Sequence, residues 1–318
     1  MTRALPTHDA PATRARSALL TLLALVTFAM VAACAPPADG TEDSASGAEV
    51  SSEGDLAAED GSAMEGSGSR VALSPTAEGE LPSAITGDGG ELQGRDLGYL
   101  EGDDATTGYL AVPAGEGPFP ALVIIHEWNG LTDRVRQVAD DFAAEGYVTL
   151  AADLFQGQVG QNSDENRALM AEAEGNVVPN LNAAVRYLKG RDDVTGRVGA
   201  MGWCYGGGVA LSFGLDGENH DATAIFYGRL VEDPEALAGM DHEVYGTFAR
   251  LDSGPAPESV ERFEAALEAA GVENDLHIYD DVDHGFWLRV DGDPEVRSGP
   301  ALDAWQRLKA YLDRALGG

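Results

Sequence analysis

The segment Arg197–Trp203 reads as a buried strand, and it runs straight into Cys204-Tyr205-Gly206-Gly207-Gly208. Few folds accept a strand that meets a glycine-framed cysteine and leaves it as a helix. From about residue 96 onward the rest of the chain agrees with one of them. Apolar runs at 106–114, 120–127, 147–153, 222–228, 243–249 and 274–280 read as further strands. The run at 120–127 is continuous, as a strand covered on both faces requires. Helical spacing falls at 132–146, 177–190, 257–271 and 299–316. Gly146, Gly190 and Gly271 are placed to stop helices, and Pro257 to start one. Strands alternating with helices predict an α/β domain around a mostly parallel, twisted sheet.

The turn has the form G-x-C-x-G, from Gly202 to Gly206. A nucleophile lifted above a sheet on a sharp strand-to-helix turn needs small neighbours. The helix start beside it favours a thiolate at Cys204. It also aims the Tyr205 N–H at the oxyanion of a tetrahedral intermediate. A buried cysteine in a glycine-rich turn would look the same locally, so the partners decide. They follow the nucleophile in the order acid, then histidine. Four histidines follow Cys204. His220 and His242 precede any suitable acid, and His277 lies inside a strand. His284 follows the last strand beside Gly285, where a catalytic base belongs. Asp252 follows the 243–249 strand and is the expected orienting acid; Asp280, Asp281 and Asp283 stand too near His284 in the chain. The loop His126–Asp133 supplies Trp128, whose N–H is the second expected oxyanion donor. His126-Glu127 raises the question of a metal. There is no H-E-x-x-H and no second histidine at ligand spacing, so no metal site is expected.

The N-terminus carries Arg3, Arg14 and Arg16 ahead of the apolar run Ala18–Ala33. That run is short for a membrane span, and a basic start with a small-residue end predicts an export signal over 1–33. "VAAC" at Val31–Cys34 resembles the bacterial lipoprotein signal, which implies that Cys34 becomes an acylated N-terminus and a membrane anchor. The chain is then exported and lipid-anchored in a bacterial envelope, on the outer membrane or a periplasmic face. Cys204 is left as a thiol rather than half of a disulfide. Residues 34–90 are acidic and rich in Gly and Ser, and are expected to form a disordered tether ahead of the catalytic domain at 91–318. The net charge is −34, which excludes nucleic acid as a partner. A GC-rich genome explains the presence of only two lysines but not the acid excess; a salt-loving source explains both.

The stretches "IIHEWNGL", "GWCYGGG", "FYGRLVEDPEAL", "GTFARLDSGP" and "DVDHGFW" occur in that order. Together they resemble the dienelactone hydrolases, a cysteine-using branch of the α/β-hydrolases. The resemblance implies an α/β-hydrolase fold and hydrolysis of a small-molecule ester or lactone through a Cys204–Asp252–His284 triad and an acyl-enzyme, with no cofactor. It gives Glu127 the role of activating the thiol. Arg229 and Arg289 are the candidates for holding a substrate carboxylate. A monomer is expected. A non-catalytic binding lipoprotein and a thioesterase are the competing readings.

Overall fold

Residues 76–317 are described by a computed structural model. The expected signal peptide, Cys34 and most of the tether lie outside the described residues. One sheet of eight strands organises the domain: β1 (Arg95–Leu97), β2 (Gly108–Ala111), β3 (Phe119–Ile125), β4 (Val148–Ala152), β5 (Val194–Trp203), β6 (Ala222–Phe226), β7 (Val244–Ala249) and β8 (Asn274–Tyr279). Their order is β1-β2-β4-β3-β5-β6-β7-β8. From β4 to β8 every pairing is parallel, and β1 and β2 close one side antiparallel. This is the architecture of an α/β-hydrolase.

The α-helices are α1 (Ser83–Thr86), α2 (Asp133–Ala144), α3 (Ser163–Ala173), α4 (Val177–Lys189), α5 (Tyr205–Asp216), α6 (Pro234–Leu237), α7 (Pro257–Ala270) and α8 (Pro294–Leu316), with short 3-10 turns at Glu174–Asn176 and Val290–Gly292. The β3 run shows why its sequence is apolar throughout. Leu122 and Ile124 enter one core with α2 and α8, while Ala121, Val123 and Ile125 enter another with α4 and α5. All five are fully buried. With apolar surface contributing roughly 25 cal/mol per Å² removed from water, such central strands anchor the domain.

Three differences from the sequence reading have local causes. Residues 82–90, expected within the tether, pack on the domain together with 91–94. Ala84 and Ile85 are buried, and the acids of α2 hold the backbone: Asp141 accepts the Ala84 N–H at 2.9 Å, and Asp140 accepts the Gln93 and Gly94 N–H groups at 2.9 and 3.1 Å. The apolar "LPSAI" within an otherwise polar run is what makes this docking favourable. α3 lacks a wide apolar face and so escapes a pattern search, yet Asn162 caps it by accepting from the Asp164 and Glu165 N–H groups. α8 starts at Pro294 behind the Asp293 cap, five residues before the expected start, and runs through Pro300.

Candidate active site

Five adjacent strands end on the same edge of the sheet, and each delivers one side chain there. β3 leads to Glu127, β5 to Cys204, β6 to Tyr227, β7 to Asp252 and β8 to His284. Crevices at the carboxyl ends of parallel strands are where α/β sheets bind ligands, because loops diverge there.

The cysteine turn is tight. Cys204 takes φ +55° and ψ −117°, a left-handed geometry uncommon for residues other than glycine. It directly precedes α5, whose first N–H groups, Tyr205 included, have no acceptor within the helix. The flanking glycines are sterically required. A Cβ on Gly206 would stand 2.5 Å from the His126 carbonyl oxygen, and one on Gly202 would stand 2.5 Å from the Gly206 carbonyl carbon. The Cys204 N–H donates to the Phe226 carbonyl at 3.0 Å, which ties the turn to β6. The cysteine is buried.

Asp252 and His284 meet. His284 Nδ1 lies 2.7 Å from Asp252 Oδ2, and the Gly254 N–H donates to the other carboxylate oxygen at 2.8 Å. The Asp252 side chain is 3% exposed, against 38% for His284. A carboxylate only accepts, so Nδ1 carries the proton and Nε2 is the basic nitrogen. The chain beyond His284 is pinned at several points. Arg297 donates to the Arg289 carbonyl at 2.8 Å and pairs with Asp283 at 2.9 Å. Arg134 donates to the Leu288 carbonyl at 3.1 Å and grips both oxygens of Asp291 at 2.7 Å.

Glu127 is buried, and its partner is Arg289, at 2.7 Å. The arginine expected to hold a substrate carboxylate therefore already holds a protein one, with half of its side chain exposed. Arg229 is exposed beside the first turn of α5, 3.1 Å from where a Gly208 Cβ would stand. Trp128 occupies the turn after Glu127 and is half-buried. His126 is not available as a ligand. Its Nδ1–H donates to the Glu127 carbonyl at 2.6 Å, and its Nε2 accepts the Leu154 N–H at 3.2 Å. Full burial lowers its affinity for a second proton, so the ring is neutral and binds the β3 loop to the β4 loop. Among the described residues, no group of three His, Cys, Asp or Glu side chains could hold a metal ion. His220 and His242 share the Thr223 hydroxyl at the other end of β6, at 3.3 and 2.8 Å. Burial and the neighbouring His242 push His220 down to about 4. His277 packs its ring against Tyr279.

Sequence reasoning missed Tyr227. Only its place at the end of a strand, ahead of a glycine, hinted at it. It is fully buried, and its ring stands edge-on to His284 at 5.0 Å. Burial raises the pKa of its phenol well above the usual range, with Glu127 as the second cause, so it remains a neutral hydroxyl.

Residues 106–316 match the dienelactone hydrolase family. The chain belongs to that family. A Methylorubrum extorquens protein named "Putative carboxymethylenebutenolidase" is 30% identical over 226 residues, covering 66% of this chain and 77% of the relative. A Salmonella typhi protein of the same name is 26% identical over 256 residues, covering 76% of this chain and 94% of the relative. Among solved structures, a dienelactone hydrolase-like promiscuous phosphotriesterase from metagenomic libraries superposes with a TM-score of 0.63 at 20% identity, covering 72% of this chain and all of that one. An esterase from Thermogutta terrifontis superposes at 0.55 with 16% identity, covering 70% and 94%. These structures share the fold. The family makes the chain an enzyme that hydrolyses a small-molecule ester or lactone. The docked segment 82–94 and β1 precede the stretch matched by this dienelactone hydrolase family.

Proposed function

We propose that this dienelactone hydrolase family member works through a cysteine acyl-enzyme. Cys204 is the nucleophile, His284 the general base and acid, and Asp252 the group that orients it. The 2.7 Å contact between Asp252 and His284 Nδ1, on loops two and three strands away from the cysteine turn, carries this reading. His284 Nε2 takes the thiol proton. The thiolate attacks the ester or lactone carbonyl, and the oxyanion forms where the Tyr205 and Trp128 N–H groups can donate to it. Collapse breaks the acyl–oxygen bond, and the imidazolium returns its proton to the leaving alkoxide. A water molecule, deprotonated by Nε2, then attacks the thioester and expels the Cys204 thiolate, which takes the proton back from Nε2, giving the acid and the resting enzyme.

Glu127 extends the reading to activation of the thiol. A buried carboxylate held by one half-exposed arginine is easily disturbed from outside. An anionic group on the substrate competes for Arg289, and Glu127, released from it, helps the thiol ionise while His284 Nε2 takes the proton. The second expected arginine, Arg229, is exposed and supports this recognition less directly.

The test uses the full-length chain, because truncation near residue 90 would remove Ile85 from the core. A chromogenic acetate ester and a dienelactone are mixed with the wild type and with Cys204→Ala. Turnover of either substrate that vanishes in the variant is the expected result. Undiminished turnover in Cys204→Ala refutes the mechanism. Preferential cleavage of thioesters over both substrates would reassign the substrate class. Export and lipid anchoring at Cys34 rest on the N-terminal sequence. Membrane fractionation of Cys34→Ala tests them, and continued membrane association of that variant would refute the anchor.

A further inference from the structure

Tyr227 holds a strained backbone in the middle of the site. It follows β6 with φ +39°, and a left-handed conformation at a bulky residue is an outlier that its surroundings must enforce. The enforcing contacts are visible. The Tyr227 N–H donates to the Thr247 carbonyl at 2.8 Å, and the carbonyl just before it, on Phe226, accepts the Cys204 N–H. The next residue, Gly228, is pressed against the backbone of Gly207 and Gly208, leaving no room for a Cβ. The chain thus passes beside the cysteine turn with its conformation fixed.

The side chain reaches the loop after β8 at three alternate positions. Its ring lies 5.0 Å from His284 and 6.0 Å from Phe286, and its hydroxyl oxygen accepts the Leu288 N–H at 3.3 Å. The residue after Leu288 is Arg289, whose guanidinium holds Glu127. One residue therefore touches the base directly and reaches the Glu127–Arg289 pair through one peptide unit. Ring packing alone would be met by phenylalanine. The hydroxyl is the part that fixes the register of Leu288 and Arg289. A hydroxyl that accepts one bond can still donate its own proton. Its electrostatic neighbours, Glu127 and Cys204, are both groups that accept one.

The geometry points to Tyr227 as a positioning residue that sets the register of the 284–289 loop, so that His284 and the Arg289–Glu127 pair face the Cys204 sulfur together. This rests on the acyl-enzyme reading above, yet it can be judged apart from it. The titratable and charged groups delivered to this edge of the sheet beside the cysteine turn are Glu127 after β3, Tyr227 after β6, and His284 and Arg289 after β8, with Asp252 paired to His284. Removing the Tyr227 hydroxyl weakens the placement of Arg289 and withdraws a donor. Both changes disfavour a thiolate.

Tyr227→Phe in the full-length chain is compared with Tyr311→Phe. Tyr311 is also buried, and its hydroxyl bonds to Thr223 and Glu243 away from the catalytic edge. Two readouts are taken: ester kinetics, and the rate of Cys204 alkylation by iodoacetamide across pH. In Tyr227→Phe, kcat is expected to fall about tenfold, the value of one alignment-setting hydrogen bond, with KM within about twofold. Its alkylation profile is expected to move to higher pH, while Tyr311→Phe lowers Tm only. A Tyr227→Phe enzyme with wild-type kcat and an unmoved alkylation profile overturns the proposal, as does a profile shift shared equally by Tyr311→Phe. If the wild type turns over no ester, the acyl-enzyme reading fails on its own, and the alkylation profile still decides the role of Tyr227.

Discussion

Asp252→Asn tests how the site is oriented. The side chain is 3% exposed and meets His284 Nδ1 at 2.7 Å, while its other oxygen takes the Gly254 N–H. An asparagine keeps the Gly254 bond through its carbonyl oxygen and turns its NH2 toward Nδ1. A donor there forces the imidazole proton onto Nε2, the nitrogen that must accept the thiol proton. The imidazolium formed during turnover also loses a charge-assisted bond, worth roughly 1.5–3 kcal/mol net. Adding the unfavourable tautomer brings the loss to about 3–4 kcal/mol, or two to three orders of magnitude in kcat/KM at 1.36 kcal/mol per decade. The assay is stopped-flow release of nitrophenolate from p-nitrophenyl acetate. Nitrophenolate leaves without needing a proton, so the burst should slow less than the steady phase, in which Nε2 must activate water. Thermal melting checks that the fold survives. A folded Asp252→Asn enzyme that keeps more than about a tenth of wild-type kcat/KM would refute the orientation argument.

Two further predictions concern the segment ahead of the family-matched stretch. Ile85 is fully buried, so Ile85→Ala should lower stability by about 2–4 kcal/mol in urea unfolding, within the range for emptying a core site of that size; a midpoint equal to wild type would mean that the segment does not dock. Burial pushes the Asp141 carboxyl up to about 6, although the Ala84 N–H and Ser83 hydroxyl favour its charged form. The folded state then binds this proton more tightly than the unfolded state, so the contribution of Asp141 to stability is present below about pH 4 and is lost as pH rises through 6. The side chain is partly exposed, which limits the effect to about 1–2 kcal/mol. Asp141→Asn should abolish that part of the pH dependence, and an unchanged slope of unfolding free energy between pH 4 and 7 would show that another group carries it.

Much of this domain is legible in the chain because parallel strands covered on both faces leave near-continuous apolar runs. Leu122 and Ile124 had to be apolar for one layer of helices, and Val123 and Ile125 for the other. The cysteine turn is legible for a different reason. Gly202 and Gly206 face backbone atoms at distances no side chain tolerates, so the pattern itself carries the geometry. α3 and the docked segment 82–94 were not legible, since both are largely polar and are held by caps and carboxylates rather than by a wide apolar face.

The sequence by itself determined the alternation of strands and helices, the sharp glycine-framed cysteine turn and the chain order of its candidate partners, because each rests on periodicity or local sterics. It also supplied the candidate roles of Cys204, Asp252 and His284. Only the tertiary structure decided which charges meet. Arg289 is paired with Glu127 rather than standing open, His126 spends both ring nitrogens on backbone groups, and Tyr227 sits between the nucleophile turn and the histidine loop. Those pairings join residues far apart in the chain, such as Glu127 and Arg289, and depend on where strand ends fall in the sheet. No local pattern records that register.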